Sequence, residues 1–405
     1  MNELIKKIKN NEVWFCPQLF RHVYTHTNGY YAPCCVANNL PYHSSNVGIM
    51  EHMNSDIMSE IRYAMMTSKD DPIIDKYCSA CKKSERDHGH SERTRKLKQF
   101  ENELDKVLEI VKDGTVIFKE RNMDFQLRTF GNKCNLDCLM CIPYNSSTKL
   151  KQHKKFNHLK MLFNENDLRW NDKNDYSKIE REVLEFAPYM ETWQVQGGEP
   201  FVMKRHYEIL EALIFSGHAK NIIIEFHTNG SVLKYGKHRM IDYLKHFKSV
   251  ICKISIDGYG IYNDYIRRRS KWDQIVKNIA ELNKLENIDI GIFSTLSLFS
   301  VINFHLLKNW CKENNWHLDT HVVCEPDELH CRHLPDNVKK LVAERNPNDK
   351  VLISALQLPR DDAKFRKAIK YCQEVDKQYN NALELYKVFP ELNNQNWRRG
   401  IYRNG

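Results

Sequence analysis

The feature that most restricts the fold is a repeat of strand-like and helix-like segments through residues 121–330. β-rich apolar runs cover residues 123–130, 192–196, 221–226, 250–256, 289–295 and 318–323. Helical patterns follow most of them, at 207–215, 239–247, 272–285 and 304–314. Strands spaced about 30 residues apart are typical of βα units, whose right-handed crossovers make the sheet parallel. The sequence therefore predicts an α/β fold, an open partial (β/α)6 TIM-like barrel rather than a closed eight-stranded one.

Polar or glycine-containing motifs follow these strands directly. They are the cysteine-containing loop after residue 130, Gly197-Gly198-Glu199-Pro200, His227-Thr228-Asn229-Gly230, Ser255-Ile256-Asp257-Gly258 and Cys324-Glu325-Pro326. The carboxyl ends of parallel strands meet at one edge of the sheet, and active sites of such folds form at that edge. Because several separate loops carry these motifs, we predict that they converge on a single site.

The loop after the first strand contains three cysteines, Cys134, Cys138 and Cys141, with three and then two residues between them. Thiolate is the usual ligand of iron–sulfur clusters, and three local thiolates leave one iron of a four-iron cube open to an exogenous ligand. Structural zinc normally uses paired CxxC units, so zinc is the less favoured interpretation. A disulfide is not expected in a chain without a secretory signal.

A second group of cysteines lies near the N-terminus. Asn28-Gly29 between two aromatic, β-prone runs predicts a hairpin that brings Cys34 back towards Cys16. Cys78 and Cys81 form a CxxC pair after a helical pattern at 57–66. Together these residues supply four thiolates, which close the shell of either a zinc ion or a complete iron–sulfur cluster.

The CxxxCxxC loop after a first strand resembles the radical S-adenosylmethionine (SAM) superfamily. The residue before the third cysteine is usually aromatic there and is Met140 here, although a thioether packs against a purine nearly as well. The resemblance implies that the open iron of a [4Fe–4S] cluster binds SAM. It further implies reductive cleavage of SAM to a 5′-deoxyadenosyl radical that abstracts hydrogen from a substrate. An external flavodoxin- or ferredoxin-like electron donor is also implied.

The same resemblance implies roles for residues in the other loops. Gly197, Gly198, Glu199 and Pro200 match the signature that holds the SAM amino group, and glycine also permits a close backbone approach. Thr228 and Asn229 resemble the third-strand turn near SAM. Ser255 and Asp257 stand where the family has polar contacts to SAM, and one arginine of Arg267-Arg268-Arg269, taken as Arg267, would pair with its carboxylate. An ordinary turn or a solvated helix start remains the alternative for Thr228, Asn229 and the other two arginines.

The N-terminal pattern of Cys16, Gly29, Cys34, Cys78 and Cys81 looks like the auxiliary-cluster modules called twitch and SPASM. A single CxxC fits the shorter twitch form, which would here precede the barrel and hold one auxiliary [4Fe–4S] cluster. Cys35 is interpreted as a spare thiol. The expected organisation is a small α+β iron–sulfur domain at 1–120, the barrel at 121–330 and a helical tail at 331–405, with helical spacing at 363–388. The long gap at 145–190 is interpreted as an insertion beside the cluster and as a lid. Cys252, Cys311 and Cys372 are interpreted as buried thiols. Residues 93–98, rich in basic side chains, are expected to lie on a solvated connecting helix, with a substrate-docking patch as the alternative.

Composition restricts the compartment and the partners. Most of the 13 cysteines fall in the two clusters, which in a reducing compartment favours metal binding over disulfides. No apolar run of 18 residues and no signal-peptide core is present, so we expect a cytoplasmic protein without a membrane partner. A net charge of +9 is modest for 405 residues and does not favour nucleic acid as the partner.

These observations predict a radical SAM enzyme, with a peptide, protein or small molecule as substrate and peptide or protein modification as the leading reaction. The alternatives are a radical SAM enzyme that modifies nucleotides or nucleic acids, and a non-enzymatic iron–sulfur or zinc scaffold. The Gly-Gly-Glu-Pro motif argues against the scaffold, because a scaffold has no need of a SAM pocket.

Overall fold

The computed structural model describes residues 1–112, 114–118, 121–128, 131–155 and 177–393. Its centre is an eight-stranded sheet formed by β1 His22–Thr25, β2 Tyr31–Ala32, β3 Met123–Leu127, β4 Met190–Val195, β5 Ile223–Thr228, β6 Ser249–Ser255, β7 Ile288–Leu296 and β8 His317–Val322. The strand order is β8-β7-β6-β5-β4-β3-β1-β2. Every neighbouring pair is parallel except β1 and β2.

The six strands predicted from the sequence are all present, and they lie in chain order from β3 to β8. This parallel α/β arrangement is compatible with the predicted partial barrel. Helices cover the described connections and flanks. They are α1 Asn2–Lys9, α2 Gln18–Arg21, α3 Ile49–Met53, α4 Asp56–Thr67, α5 Pro72–His88, α6 Glu92–Gln99, α7 Leu104–Glu109, α8 Ser147–Lys155, α9 Ser177–Phe186, α10 Lys204–Phe215, α11 Met240–Leu244, α12 Ile261–Ile266, α13 Trp272–Leu282, α14 Phe304–Glu313, α15 Asp336–Arg345, α16 Lys350–Gln357, α17 Asp362–Gln378 and α18 Leu385–Val388.

The N-terminal segment contributes directly to this sheet. The predicted hairpin is confirmed, with Tyr24 opposite Ala32 and Thr25 opposite Tyr31. Strand β1 also pairs in parallel with β3, so the sheet continues across the predicted domain boundary at residue 120. The predicted helix at 57–66 is confirmed as α4.

The two faces of the sheet differ because side chains alternate along each strand. One face is apolar and fully buried, with Trp193, Phe226, Cys252 and Ile254 in the core. The alternate residues include Gln194, Glu225 and Lys253, which line a large cavity. We call this second face the inner face. The predicted burial of Cys252, Cys311 and Cys372 is confirmed.

Helix α6 departs from the prediction of a solvated connecting helix. Arg93 is only 4% exposed: it pairs with Glu85 at 2.6 Å and lies 3.9 Å from the ring centre of Trp14. Lys96, one turn further on, is 7% exposed and faces the cavity over the inner face. The prediction was wrong because a basic run reveals nothing about the distant aromatic and acidic partners that bury it.

Two parts of the predicted organisation lie partly outside the described residues. The region interpreted as an insertion and lid, 145–190, is described only as far as α8 and again from α9. The last twelve residues of the tail, which include Trp397, lie outside as well. The predicted C-terminal helices at 363–388 are confirmed as α17 and α18. In the described part of the chain, no helix is both long and apolar enough to cross a membrane.

Candidate active site

The cysteine loop lies at the carboxyl end of β3, as predicted, and is held by hydrogen bonds from several segments. Asp137–Cys138 pairs antiparallel with Arg267–Arg268, and the Leu139 amide donates to the Ile266 carbonyl at 2.9 Å. On the other side, the Thr148 hydroxyl donates to the Cys134 carbonyl at 2.8 Å. Burial raises the pKa of the Cys134 thiol, and the Cys141 thiol nearby acts in the same direction. The loop therefore presents three cysteines from a fixed backbone.

The Gly-Gly-Glu-Pro turn packs directly against this loop. The Glu199 amide donates to the Lys133 carbonyl at 2.8 Å. A Cβ atom on Gly198 would lie 2.2 Å from the Lys133 carbonyl oxygen, and one on Gly197 would lie 2.9 Å from the Gly131 oxygen. The backbone φ angle is positive at both glycines, 103° at Gly197 and 54° at Gly198. The close approach expected of these glycines is thus made to the backbone of the cysteine loop.

A substitution at Gly198 tests this contact. Gly198→Ala is expected to displace the cysteine loop and to lower the free energy of unfolding by about 2–5 kcal/mol, from left-handed strain plus overpacking. Gly236→Ala is the matched control, because Gly236 has a similar φ of 56° but nothing within 4 Å of its Cβ position. Chemical unfolding and iron content measure the difference. Equal losses in the two variants would show that only backbone strain matters.

Glu199 joins the second and third strand-end loops. Its side chain is fully buried and accepts hydrogen bonds from the Phe201 amide at 3.0 Å, the Thr228 hydroxyl at 2.7 Å and the Asn229 amide at 2.7 Å. Burial raises the pKa of the carboxyl to about 7, although the hydrogen bonds from Asn229, Thr228 and Phe201 act in the opposite direction. A carboxylate has about four acceptor positions, so three donors leave room for one more.

The Asn229 side chain connects the third-strand turn to the cysteine loop. Its amide donates to the Asn135 side-chain oxygen at 3.0 Å, and Asn135 in turn donates to the Ser231 hydroxyl at 2.8 Å. The Ser231 backbone amide donates a hydrogen bond to the Asn229 side-chain oxygen at 2.9 Å. Thr228 and Asn229 therefore have specific contacts that an ordinary turn does not require.

Asp257 and Arg267 form a buried ion pair beside the cysteines. Arg267 Nε lies 2.7 Å from Asp257 Oδ2, and Arg267 Nη1 lies 4.0 Å from the Cys138 sulfur. Asp257 also accepts a hydrogen bond from the Thr295 amide at 2.7 Å, which connects the pair to β7. Burial raises the pKa of the Cys138 thiol, while the Arg267 guanidinium opposes that rise and favours the thiolate. Arg267 thus lies close to both an acid and a candidate ligand.

The other two arginines of the basic run face elsewhere. Arg268 pairs with Asp376 and donates to the Leu383 carbonyl at 3.0 Å. Arg269 donates to the Tyr379 hydroxyl at 2.9 Å. Both therefore hold the C-terminal helices. Ser255 is half-buried at the end of β6, where it shares the inner face with Lys253 by alternation.

A buried polar network beneath the cysteine loop was not predicted from the sequence. Lys149 and Asp137 are both about 1% exposed, and Lys149 Nζ lies 3.3 Å from Asp137 Oδ1. Lys149 also donates to the Tyr371 hydroxyl and the Gln152 side-chain oxygen, both at 2.6 Å. Tyr379 donates to Asp137 Oδ2 at 2.8 Å. Helix α17 and the residues after it are therefore tied to the loop that carries the cysteines.

The N-terminal cysteines line a second and much smaller cavity, with a volume of about 10 Å³. Its thiols are those of Cys16, Cys34, Cys78 and Cys81, whereas Cys35 lines the large cavity over the inner face. The CxxC pair lies on α5, one turn apart, so both thiols face the same side. The sequence left Cys34 and Cys35 ambiguous, and the structure separates them by the cavity that each one faces.

Both groups of thiols have the chemistry that a cluster needs. Burial raises the pKa of the Cys134 thiol to about 12 and that of the Cys78 thiol to about 12. Ligation therefore releases protons from buried thiols. Among the described residues, no three Cys, His, Asp or Glu side chains converge as closely as a single metal ion requires. In a cubic cluster each thiolate binds a different iron.

The large cavity over the inner face has a volume of about 580 Å³ and is mainly polar along its strands. The strand residues that line it include Gln126, Gln194, Glu225, His227, Lys253 and Phe293. Glu225 accepts from His227 at 3.1 Å and pairs with Lys253 at 2.8 Å. Burial acts to raise the pKa of Glu225, but the contacts with His227 and Lys253 lower it to about 2. We call this space the inner cavity.

Comparison with known proteins gives a family for the central part of the chain. Residues 129–303 match the family described as the Radical SAM superfamily. Residues 129–303 therefore form a radical SAM domain. Because such domains are catalytic, the chain is an enzyme. Domains of this family bind a [4Fe–4S] cluster and SAM, and they require an electron donor.

Solved structures with similarity to the chain include two with bound S-adenosylmethionine. The structure "Native anSMEcpe with bound AdoMet" is 17% identical, with a TM-score of 0.35, and the match covers 48% of this chain and 50% of that chain. Streptococcus suis SuiB bound to S-adenosylmethionine is 14% identical, with a TM-score of 0.37 and coverage of 88% and 70%. The match thus spans about half the length of anSMEcpe. Among curated proteins, none matches the sequence.

Proposed function

We propose that Cys134, Cys138 and Cys141 hold a [4Fe–4S] cluster and that the adjoining loops bind SAM. The observation that carries this proposal is the direct packing of the Gly-Gly-Glu turn against the cysteine loop. This packing includes a hydrogen bond of 2.8 Å from the Glu199 amide to the Lys133 carbonyl. When bound, the reduced cluster supplies cleavage of SAM to a 5′-deoxyadenosyl radical that abstracts a substrate hydrogen.

The residues around the loop have distinct positioning tasks in this proposal. Glu199, with one acceptor position left, receives the SAM amino group, and Thr228 and Asn229 keep its carboxylate oriented. Arg267 offers its remaining guanidinium donors to the SAM carboxylate while Asp257 fixes its position. Ser255, at the inner face, and Pro200, which directs the turn after Glu199, complete the proposed SAM-contacting set.

The inner cavity is the proposed substrate chamber. It extends along the inner face of the strands, and several of the strands that border it also end in the site loops. Its charged and amide side chains suit a polar substrate, and a volume of about 580 Å³ lies in the range of ligand-binding cavities and accommodates a short peptide segment. We therefore propose hydrogen abstraction from a peptide or protein side chain.

Anaerobic reconstitution tests the proposed reaction. Purified protein supplied with iron, sulfide, SAM and dithionite is expected to form 5′-deoxyadenosine without any added substrate, because uncoupled cleavage needs only cluster and SAM. Product is measured by liquid chromatography against a sample without reductant. A full complement of iron without any 5′-deoxyadenosine would contradict SAM cleavage and favour an iron–sulfur scaffold.

We further propose that Cys16, Cys34, Cys78 and Cys81 hold an auxiliary [4Fe–4S] cluster in a twitch-type domain. Support comes from the small cavity, which these four thiols share with Trp14, Leu19 and Tyr77. Four thiolates complete the shell of a cubic cluster and leave no open iron. Such a cluster suits electron transfer or structural support rather than SAM binding.

The adjacent pair Cys34 and Cys35 offers a matched test of this assignment. Cys34→Ala is expected to lower the iron content by about four atoms per chain, because one cluster loses a ligand. Cys35→Ala is expected to keep its iron, since this thiol faces the inner cavity. Iron and zinc are quantified by inductively coupled plasma spectrometry. Loss of zinc instead of iron in Cys34→Ala would assign a zinc site, and equal metal in both variants would remove the assignment.

A further inference from the structure

The inner cavity contains a cation that lacks an acidic partner among the described residues. Lys96 is 7% exposed and lines the cavity from α6, on the side opposite the strands. Its nearest recorded interaction is with the ring of Phe100, whose centre lies 5.9 Å from Nζ. The other lysines and arginines of the cavity all have partners, namely Asp124 and Glu191 for Arg21, Glu92 for Arg95 and Glu225 for Lys253.

An ammonium group in this position has an energetic consequence. Withdrawing a charge from water is costly unless an opposite charge or several hydrogen bonds replace the lost hydration. Within the described residues, every carboxylate that lines the cavity already contacts another cation at 3.3 Å or less. Lys96 Nζ is itself still reached by water. A ligand anion that enters the cavity would replace that water at a donor group that has three N–H bonds and no carboxylate partner among the described residues.

We propose that Lys96 binds a carboxylate of the substrate, and that the substrate segment in the inner cavity is therefore an acidic peptide. This inference rests on the proposed function of the cavity as the substrate chamber. A single ammonium group matches the single charge of an aspartate or glutamate side chain. Phosphate sites commonly use arginine forks or helix N-termini, but the guanidinium groups of Arg21 and Arg95 are already engaged.

The test uses three small probes on the reconstituted holoenzyme. N-acetyl-glutamate amide carries the proposed carboxylate, N-acetyl-glutamine amide is its neutral isostere, and N-acetyl-phosphoserine amide carries phosphate. Saturation-transfer NMR or calorimetry measures their affinities for the wild type, Lys96→Met, Lys96→Arg and the control Lys98→Met. Lys98 lies on the same helix but is exposed.

The carboxylate probe is expected to bind the wild type about 10- to 100-fold more tightly than the glutamine probe. This ratio of affinities corresponds to the free energy of one charge-assisted hydrogen bond. Lys96→Met is expected to abolish that preference, whereas Lys96→Arg and Lys98→Met keep it. Equal affinities for the three probes, or an unchanged preference in Lys96→Met, would overturn the proposal. Tighter binding of the phosphate probe, lost in Lys96→Met, would overturn the carboxylate assignment in favour of a nucleotide-type ligand.

Two further measurements distinguish a wrong proposal for Lys96 from loss of stability in the variant and from failure of the proposed function. Lys96→Met is expected to keep its iron and its thermal midpoint, because it removes a charge that has no acidic partner in the described fold. If its midpoint falls instead, Lys96 has a structural role and the proposal is overturned. Uncoupled formation of 5′-deoxyadenosine is expected to be unchanged in Lys96→Met. If even the wild type forms none, the proposed function fails, while the binding result still decides the role of Lys96.

Discussion

Replacing Cys138 by alanine is expected to reduce 5′-deoxyadenosine formation to the background of an enzyme-free sample. Cys138 is buried, its strand pairs with Arg267–Arg268, and its sulfur is 4.0 Å from the Arg267 guanidinium. A cube with only two protein thiolates loses its fixed position next to the SAM-binding loops. Anaerobic turnover with dithionite, analysed by liquid chromatography, measures the loss.

Cys252→Ala is the matched control for this experiment. Cys252 is also fully buried, but its thiol lies in the apolar core of the sheet on β6. We expect it to keep both iron and SAM cleavage.

The auxiliary iron is expected to remain in Cys138→Ala, so that about half of the wild-type iron is retained. SAM cleavage at the wild-type rate in Cys138→Ala would refute the assignment of the cysteine loop.

Replacing Lys149 by methionine is expected to cost about 3–5 kcal/mol of the free energy of unfolding. The change leaves Asp137 buried without its counter-ion, and it leaves the Tyr371 hydroxyl without its donor. Because Asp137 directly precedes Cys138, we also expect the cysteine loop to lose iron. Urea unfolding under anaerobic conditions and iron analysis measure the two effects.

A double variant separates the buried charge from simple loss of packing. Adding Asp137→Asn to Lys149→Met removes the uncompensated charge, so it is expected to restore part of the lost stability. Lys151→Met, on the same helix but exposed, is expected to change stability by less than about 0.5 kcal/mol. If Lys149→Met resembles Lys151→Met, the ion pair does not support the cysteine loop.

Periodicity in the sequence was sufficient to predict the sheet. Strands β4 to β7 are rich in β-branched and aromatic residues, and β3 alternates apolar and polar residues. The observed bounds of the six barrel strands differ from the predicted ones by no more than a few residues. The placement of Cys134, Glu199 and Asn229 at one edge could be predicted for the same reason, because parallel strands place their carboxyl ends together. Local pattern and topology therefore led to the region of the site.

Interactions between distant parts of the chain were not predictable in this way. Lys149 and Tyr371 are separated by 222 positions. The sequence of the helix that contains Lys149 is typical of an ordinary charged surface helix, so it does not predict the buried ion pair with Asp137. The burial of Arg93 depends on the ring of Trp14, far earlier in the chain, as well as on Glu85. Lys96 lines the inner cavity together with strands far along the chain. The side chains of Cys34 and Cys35 face different cavities. Backbone dihedral angles determine these directions, and the composition of the sequence does not predict them.

The pairing of β1 with β3 has a consequence for how the protein can be divided. Strand β3 lies between β1 and β4, so its backbone donors and acceptors are satisfied on both sides. Cutting the chain near residue 120 would leave one side of β3 as an unpaired edge, which invites association with other chains. The first 120 residues are therefore a structural complement of the catalytic domain, and the two are best understood as folding together rather than as separable modules.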